Sequence, residues 1–99
     1  MEIEKTQNGD IATLNLTGRL DTVTSPILQK TLVEIMPGAQ VIELDFADVD
    51  YVSSAGLRVL LFGHKNAQVS GKAMRLKNVS SDVREIFKIT GFDGMLIIE

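Results

Sequence analysis

The chain has 99 residues, the size of one domain, and its 44% apolar content with only two prolines excludes the poorly hydrophobic class that stays disordered. Ten basic against thirteen acidic residues leave a formal charge of -3, too small and of the wrong sign to hold a phosphate backbone, so no direct nucleic-acid partner is expected. Without cysteine there is no disulfide, thiolate nucleophile or cysteine-ligated metal, and without a long apolar run or a basic-then-apolar N-terminus the chain is expected to be cytoplasmic, neither secreted nor inserted in a membrane.

Ile3 to Gln7 and Ile11 to Leu16 read as short strands, and Asn8-Gly9 between them suits a tight turn, so the chain should open with an antiparallel hairpin. After Gly18-Arg19-Leu20-Asp21, either Thr24 or Ser25 can cap a helix with Pro26 in its first turn, where a missing N–H costs nothing. Ile27, Leu28, Leu32, Ile35 and Met36 follow helical spacing, and Pro37-Gly38 stops the helix. Val41 to Phe46 alternates, with Ile42, Leu44 and Phe46 on one face of a strand expected in the middle of the sheet.

Leu57, Leu60, Leu61, His64 and Ala67 share one face of a helix that begins near Ser54 and ends before Gly71-Lys72, after which Ala73 to Lys77 forms another strand. Ser80 or Ser81 can cap a third helix carrying Val83, Ile86 and Phe87, Gly91 suits its left-handed end, and Met95 to Ile98 closes the chain as a strand. Met36, Met74 and Met95 lie in apolar runs and read as core filler. Strands alternating with helices after a hairpin predict one α/β domain over residues 1–99, its mixed sheet antiparallel at the hairpin, largely parallel elsewhere and packed with α-helices.

Asp48-Val49-Asp50-Tyr51-Val52-Ser53-Ser54-Ala55-Gly56-Leu57 joins a strand to a helix through two adjacent hydroxyls and a pair of small residues. A serine at a helix N-terminus lies beside unpaired N–H groups and the positive end of the helix dipole, where an added phosphate is stabilised. A helix-capping serine explains the same pattern without chemistry. This segment resembles the phosphorylation loop of STAS domains, the sulfate transporter and anti-sigma factor antagonist family, and Gly18-Arg19-Leu20-Asp21 before a Thr/Ser helix start resembles the family's other recurring element.

The resemblance covers essentially the whole chain. It implies a free-standing anti-sigma factor antagonist: a non-enzymatic module that binds an anti-sigma factor serine kinase and so frees a sigma factor for transcription. Phosphorylation by that kinase would end the interaction, and a serine phosphatase would restore it. Alignment on Gly56-Leu57 puts the family's phosphorylated serine on Ser54; Ser53 stands where the family often has aspartate, leaving a second hydroxyl beside the site. Asp21 matches the acidic residue near the loop that supports partner binding, and a turn-capping role for it is compatible. Partner contacts are thus expected from Asp21, Ser53, Ser54, Ala55, Gly56 and Leu57. The alternative within the same fold is a structural subunit of a lipid-transport or stress-signalling complex.

Other chemistry is weakly supported. The one histidine, His64, sits on the apolar side of its helix, and Gly-x-Ser-x-Gly is absent, so no nucleophile and base are paired and no catalytic residue is expected. Asp45, Asp48 and Asp50 read as a solvated strand rim and not as a metal site, and no cofactor is implied. Arg58, Phe62 and Lys65 recur along one flank of the second helix, either as a partner-contact stripe or as an amphipathic helix edge with Phe62 packed beneath a neighbour.

Overall fold

In the computed structural model, which describes residues 1–99, β1 (Glu2–Asn8) runs antiparallel to β2 (Ile11–Leu20) around a tight turn where Gly9 takes φ 60°. Helix α1 (Ser25–Ile35) and a single 3-10 turn (Met36–Gly38) lead into β3 (Val41–Val52). Helix α2 (Ser54–Val69) returns the chain to β4 (Ala73–Lys77), and α3 (Ser81–Thr90) with a second 3-10 turn (Phe92–Gly94) returns it to β5 (Ile97–Ile98). The strands lie in the order β1-β2-β3-β4-β5, and every pairing after the hairpin is parallel, because each helical crossover carries the chain back to the end of the sheet where the previous strand began. The mixed α/β architecture with β3 at its centre is the one the sequence predicts.

On the inner strands, Ala12, Leu14 and Leu16, then Ile42, Leu44 and Phe46, then Met74 and Leu76 are buried, while the residues between them are half-buried. The buried set faces the helices: Leu28, Leu32 and Ile35 of α1, Leu57, Leu60, His64 and Ala67 of α2, and Val83 and Phe87 of α3, whose ring lies 6.3 Å from that of Phe46. Parallel sheets are usually covered on both sides. Here the second side stays open because it is built polar, with Glu43 taking Arg75 at 2.8 Å, Lys77 at 3.7 Å and the Thr13 hydroxyl at 3.2 Å.

Five expectations need correction. Strand β2 does not end at Leu16 but runs to Leu20, so Gly18-Arg19-Leu20 is strand. Strand β3 does not end at Phe46 but runs to Val52, so most of the segment expected as a loop is extended strand. Its buried residues fall at Ile42, Leu44, Phe46, Val49 and Val52, a spacing that widens from two to three. The register against β2 steps from Asn15–Asp45 to Thr17–Asp48 and from Gly18–Val49 to Arg19–Tyr51, so each step holds one extra residue on β3. These are bulges, and each resets the inward-outward alternation on which a strand is recognised. Ile27 lies off the buried face of α1 at 49% exposed, Met95 is 43% exposed while Leu96 takes the core position, and the last strand is shortened to Ile97–Ile98 by the 3-10 turn before it.

Candidate functional site

The end of β2 and the start of α1 are joined by Asp21. Its carboxylate Oδ1 accepts the Val23 and Thr24 N–H groups, both at 3.0 Å, and its carbonyl accepts Ser25 N–H at 2.9 Å. Thr24 closes the turn in return, its hydroxyl accepting Asp21 N–H at 2.9 Å and donating to the Arg19 carbonyl at 2.6 Å. This reciprocal pair is the work expected of a cap on Thr24 or Ser25, moved upstream to Asp21. Thr24 makes no cap bond onto the helix, and Ser25 is buried with its hydroxyl oxygen unpartnered. The Thr24 N–H, then the Val23 N–H and the Arg19 guanidinium hold the Asp21 carboxyl below its ordinary value, against an opposing effect of desolvation.

The end of β3 passes into α2 through Ser53, whose extended backbone and hydroxyl make it the N-cap, accepting Gly56 N–H at 3.4 Å. Ser54 is the first helical residue and is exposed. The first i→i−4 bond runs from Leu57 N–H to the Ser53 carbonyl at 2.9 Å, so the N–H groups of Ser54 and Ala55 lie ahead of it, in the turn where helix donors have no intrahelical partner. Ala55 is half-buried, Gly56 and Leu57 are buried, Arg58 is exposed, and Phe62 is half-buried. Gly56 and Leu57 therefore position the helix start, and the side chains open to a partner there are those of Ser54 and Arg58.

The two segments are locked together. Ser53 N–H donates to the Leu20 carbonyl at 2.8 Å, which sets Asp21 and Ser54 each one residue from a shared hydrogen bond. A Cβ on Gly56 would come within 2.8 Å of the Leu20 side chain, 2.9 Å of its carbonyl oxygen and 3.0 Å of Val52, so the approach of α2 to β2 needs a residue without one. Beside them, Arg19 lies over the Tyr51 ring at 4.5 Å and 3.9 Å from the Asp21 carboxylate. No local pattern joins Arg19 to Tyr51: their contact depends on the bulged β2–β3 register, although each sits inside one of the two sequence motifs.

From the helix start a groove of about 690 Å³ runs between α1 and α2, walled by Ser25, Lys30, Val33, Ala55, Arg58 and Val59 among others. Val33 also lines the next hollow, where Phe62 lies with Met36 and Pro37. Arg58 and Phe62 thus face two successive depressions of one helix pair, and Lys65 is exposed beyond them. Asp48 and Asp50 are exposed, whereas Asp45 is tied to Asn78 Nδ2 at 3.1 Å and Ala47 N–H at 3.0 Å, a structural use for that carboxylate. No helix is long and apolar enough to cross a membrane.

The chain is similar in sequence to the anti-sigma-B factor antagonist of Bacillus subtilis, at 26% identity over 98 residues that span 99% of this chain and 90% of the relative. In structure it is similar to an anti-sigma factor antagonist from Mycobacterium paratuberculosis, with a TM-score of 0.85 at 16% identity, covering 98% of this chain and 83% of that one. The Bacillus cell fate determinant SpoIIAA in its phosphorylated form gives a TM-score of 0.76 at 15% identity, covering 99% and 91%. At such identities the structural likeness shows the fold. The family model described as "Mlab, STAS domain" matches residues 3–98, nearly the whole chain, and on that match the chain belongs to the STAS domain family.

Proposed function

We propose that this chain is an anti-sigma factor antagonist that binds an anti-sigma factor serine kinase in its unmodified form, releases it when the kinase phosphorylates Ser54, and is reset by a serine phosphatase. The observation that carries the reading is the division of labour between the two hydroxyls: Ser53 is half-buried and engaged as the cap, while Ser54 is exposed at the first position of α2. The names of the relatives support the antagonist role, and the solved phosphorylated form of a protein with this fold supports a fold that tolerates the modification.

The physics of the switch follows from the site. A phosphate on Ser54 would add a charge of about -1.5 to -2 at neutral pH, next to helix N–H groups and the positive end of the dipole, so the helix start can hold it. The same charge placed at the centre of a contact surface opposes a close interface that was complementary without it. The damage falls on binding and not on folding. Asp21, Ala55, Arg58 and Phe62 extend the contact surface around Ser54, with the capped turn at Asp21 presenting Thr22 and Val23 beside it.

The test is calorimetric titration of the cognate kinase into the unmodified protein and into protein carrying phosphoserine at position 54. The expected result is a complex with the first and an affinity lower by about tenfold or more with the second, a difference of about 1.4 kcal/mol. Equal affinity for the two forms would remove the switch. Co-purification with transporter subunits, independent of the state of Ser54, would favour the structural-subunit role instead.

A further inference from the structure

Helix α2 begins without the acidic group that the other two long helices have. Its first turn holds no acidic residue, and neither does the rest of its sequence, SAGLRVLLFGHKNAQV. By contrast α1 starts under the Asp21 carboxylate, and α3 has Asp82 in its first turn. The first charge on α2 is a cation, Arg58, five residues in, near the end of the helix where the dipole disfavours positive charge. No acid on the helix stands three or four residues away to offset it. Arg58 is exposed and joins no ion pair, whereas Arg19, Arg75 and Lys77 each have a carboxylate within 4 Å.

Residue 58 is four positions after residue 54, the spacing that brings two side chains together on one helical face, and an anion placed N-terminal to a cation is the favourable order for such a pair. Both side chains are exposed, so neither must leave a packed position to meet the other. Arg58 also lies, with Ala55, in the wall of the α1–α2 groove, to which α1 contributes the charged residues Lys30 and Glu34, and Glu34 forms no ion pair with it. We propose that Arg58 is the internal partner of a phosphate on Ser54. The dianion and the guanidinium pair across one turn of α2, the planar fork matching two phosphate oxygens, while the N–H groups of the helix start take the remaining face. Phosphorylation then changes the surface twice: it adds the dianion and withdraws the free cation from the mouth of the groove.

The inference rests on Ser54 as the modified residue, and its test needs no kinase. Phosphoserine is inserted at position 54 during synthesis of the full chain, in the wild type and in Arg58→Gln, Arg58→Lys and Lys30→Gln backgrounds, and the phosphorus NMR shift is followed against pH. The second phosphate pKa should be lower in the wild type than in Arg58→Gln by about 0.3 or more, with Arg58→Lys between them and Lys30→Gln like the wild type. In thermal unfolding, Arg58→Gln should destabilise the phosphorylated chain more than the unmodified one. Coincident titrations of wild type and Arg58→Gln would overturn the pairing, as would a response confined to Lys30→Gln. Because the phosphate is installed directly, those results would leave the antagonist reading standing, while failure of any kinase to modify Ser54 would count against that reading and not against the pairing.

Discussion

Helix α1 starts under Asp21, whose carboxylate takes the Val23 and Thr24 N–H groups at 3.0 Å, whereas α2 starts under Ser53, whose hydroxyl accepts a single N–H at 3.4 Å and leaves Ser54 facing solvent. Both starts present the same backbone groups and the same dipole end. At α1 the anion is built in, the donors are occupied, and the result is structure. At α2 no anion is built in, the following residue offers an exposed hydroxyl, and on the proposed function this is where charge is added and removed. The hydrogen bond from Ser53 to the Leu20 carbonyl ties the permanent cap to the open one, so the fixed turn positions the variable one.

The severest way to break this pairing is to push the two starts apart. Gly56→Ala forces a Cβ to within 2.9 Å of the Leu20 carbonyl oxygen, a backbone atom that cannot move alone, and should cost about 2 kcal/mol in urea unfolding. Gly63→Ala supplies the control on the same helix. Its new Cβ meets the Met74 sulfur at 2.8 Å and Leu32 Cδ1 at 3.1 Å, flexible side-chain atoms, so the loss should be smaller. Equal losses would deny the α2–β2 approach its special role.

A smaller effect comes from removing the built-in anion. Asp21→Ala should lower the melting temperature more than Asp21→Asn, which keeps an oxygen able to accept the same N–H groups. Asp21→Asn is accordingly the variant that separates kinase binding from folding, and it should weaken the complex. Because the folded-state pKa of Asp21 is depressed, the unfolded chain binds its proton first as pH falls. The carboxylate's contribution is fully present above its ordinary value of 3.8 and is lost as pH drops through the lower folded value. The stability gap between wild type and Asp21→Asn should therefore narrow below about pH 4 and stay constant above pH 6. A gap independent of pH throughout would contradict the capping account.

The smallest effects sharpen the comparison at α2 itself. Ser53→Ala removes a long cap bond and should cost about 0.5–1 kcal/mol. Ser54→Ala removes a solvated hydroxyl and should stay within about 0.5 kcal/mol of the wild type in the same unfolding experiment. The reverse order would exchange the roles of cap and exposed serine.

What the sequence reveals and conceals follows the same line. The helices are legible because 3.6-residue spacing, Ser80 as a cap and Gly91 at φ 79° are local signals. The two site motifs are legible too, each being contiguous. The extension of β3 to Val52 is not, since two bulges break the alternation at the segment of interest. The turn-capping use of Asp21 is legible as a common role of aspartate, but that it stands in for a cap on Thr24 or Ser25 is not, because both lie nearer the helix and are cap-forming residue types. The stacking of Arg19 on Tyr51 and the crowding of Leu20 on Gly56 are pairings across more than 30 residues, fixed by sheet register rather than by any local pattern.

The most direct test of the switch is to incubate wild type, Ser53→Ala and Ser54→Ala with ATP and the cognate kinase and to locate the phosphate by fragmentation mass spectrometry. One phosphate on Ser54 in the wild type and in Ser53→Ala, with none on Ser54→Ala, is the predicted result. Phosphate on Ser53 of the wild type, or undiminished modification of Ser54→Ala, would contradict it.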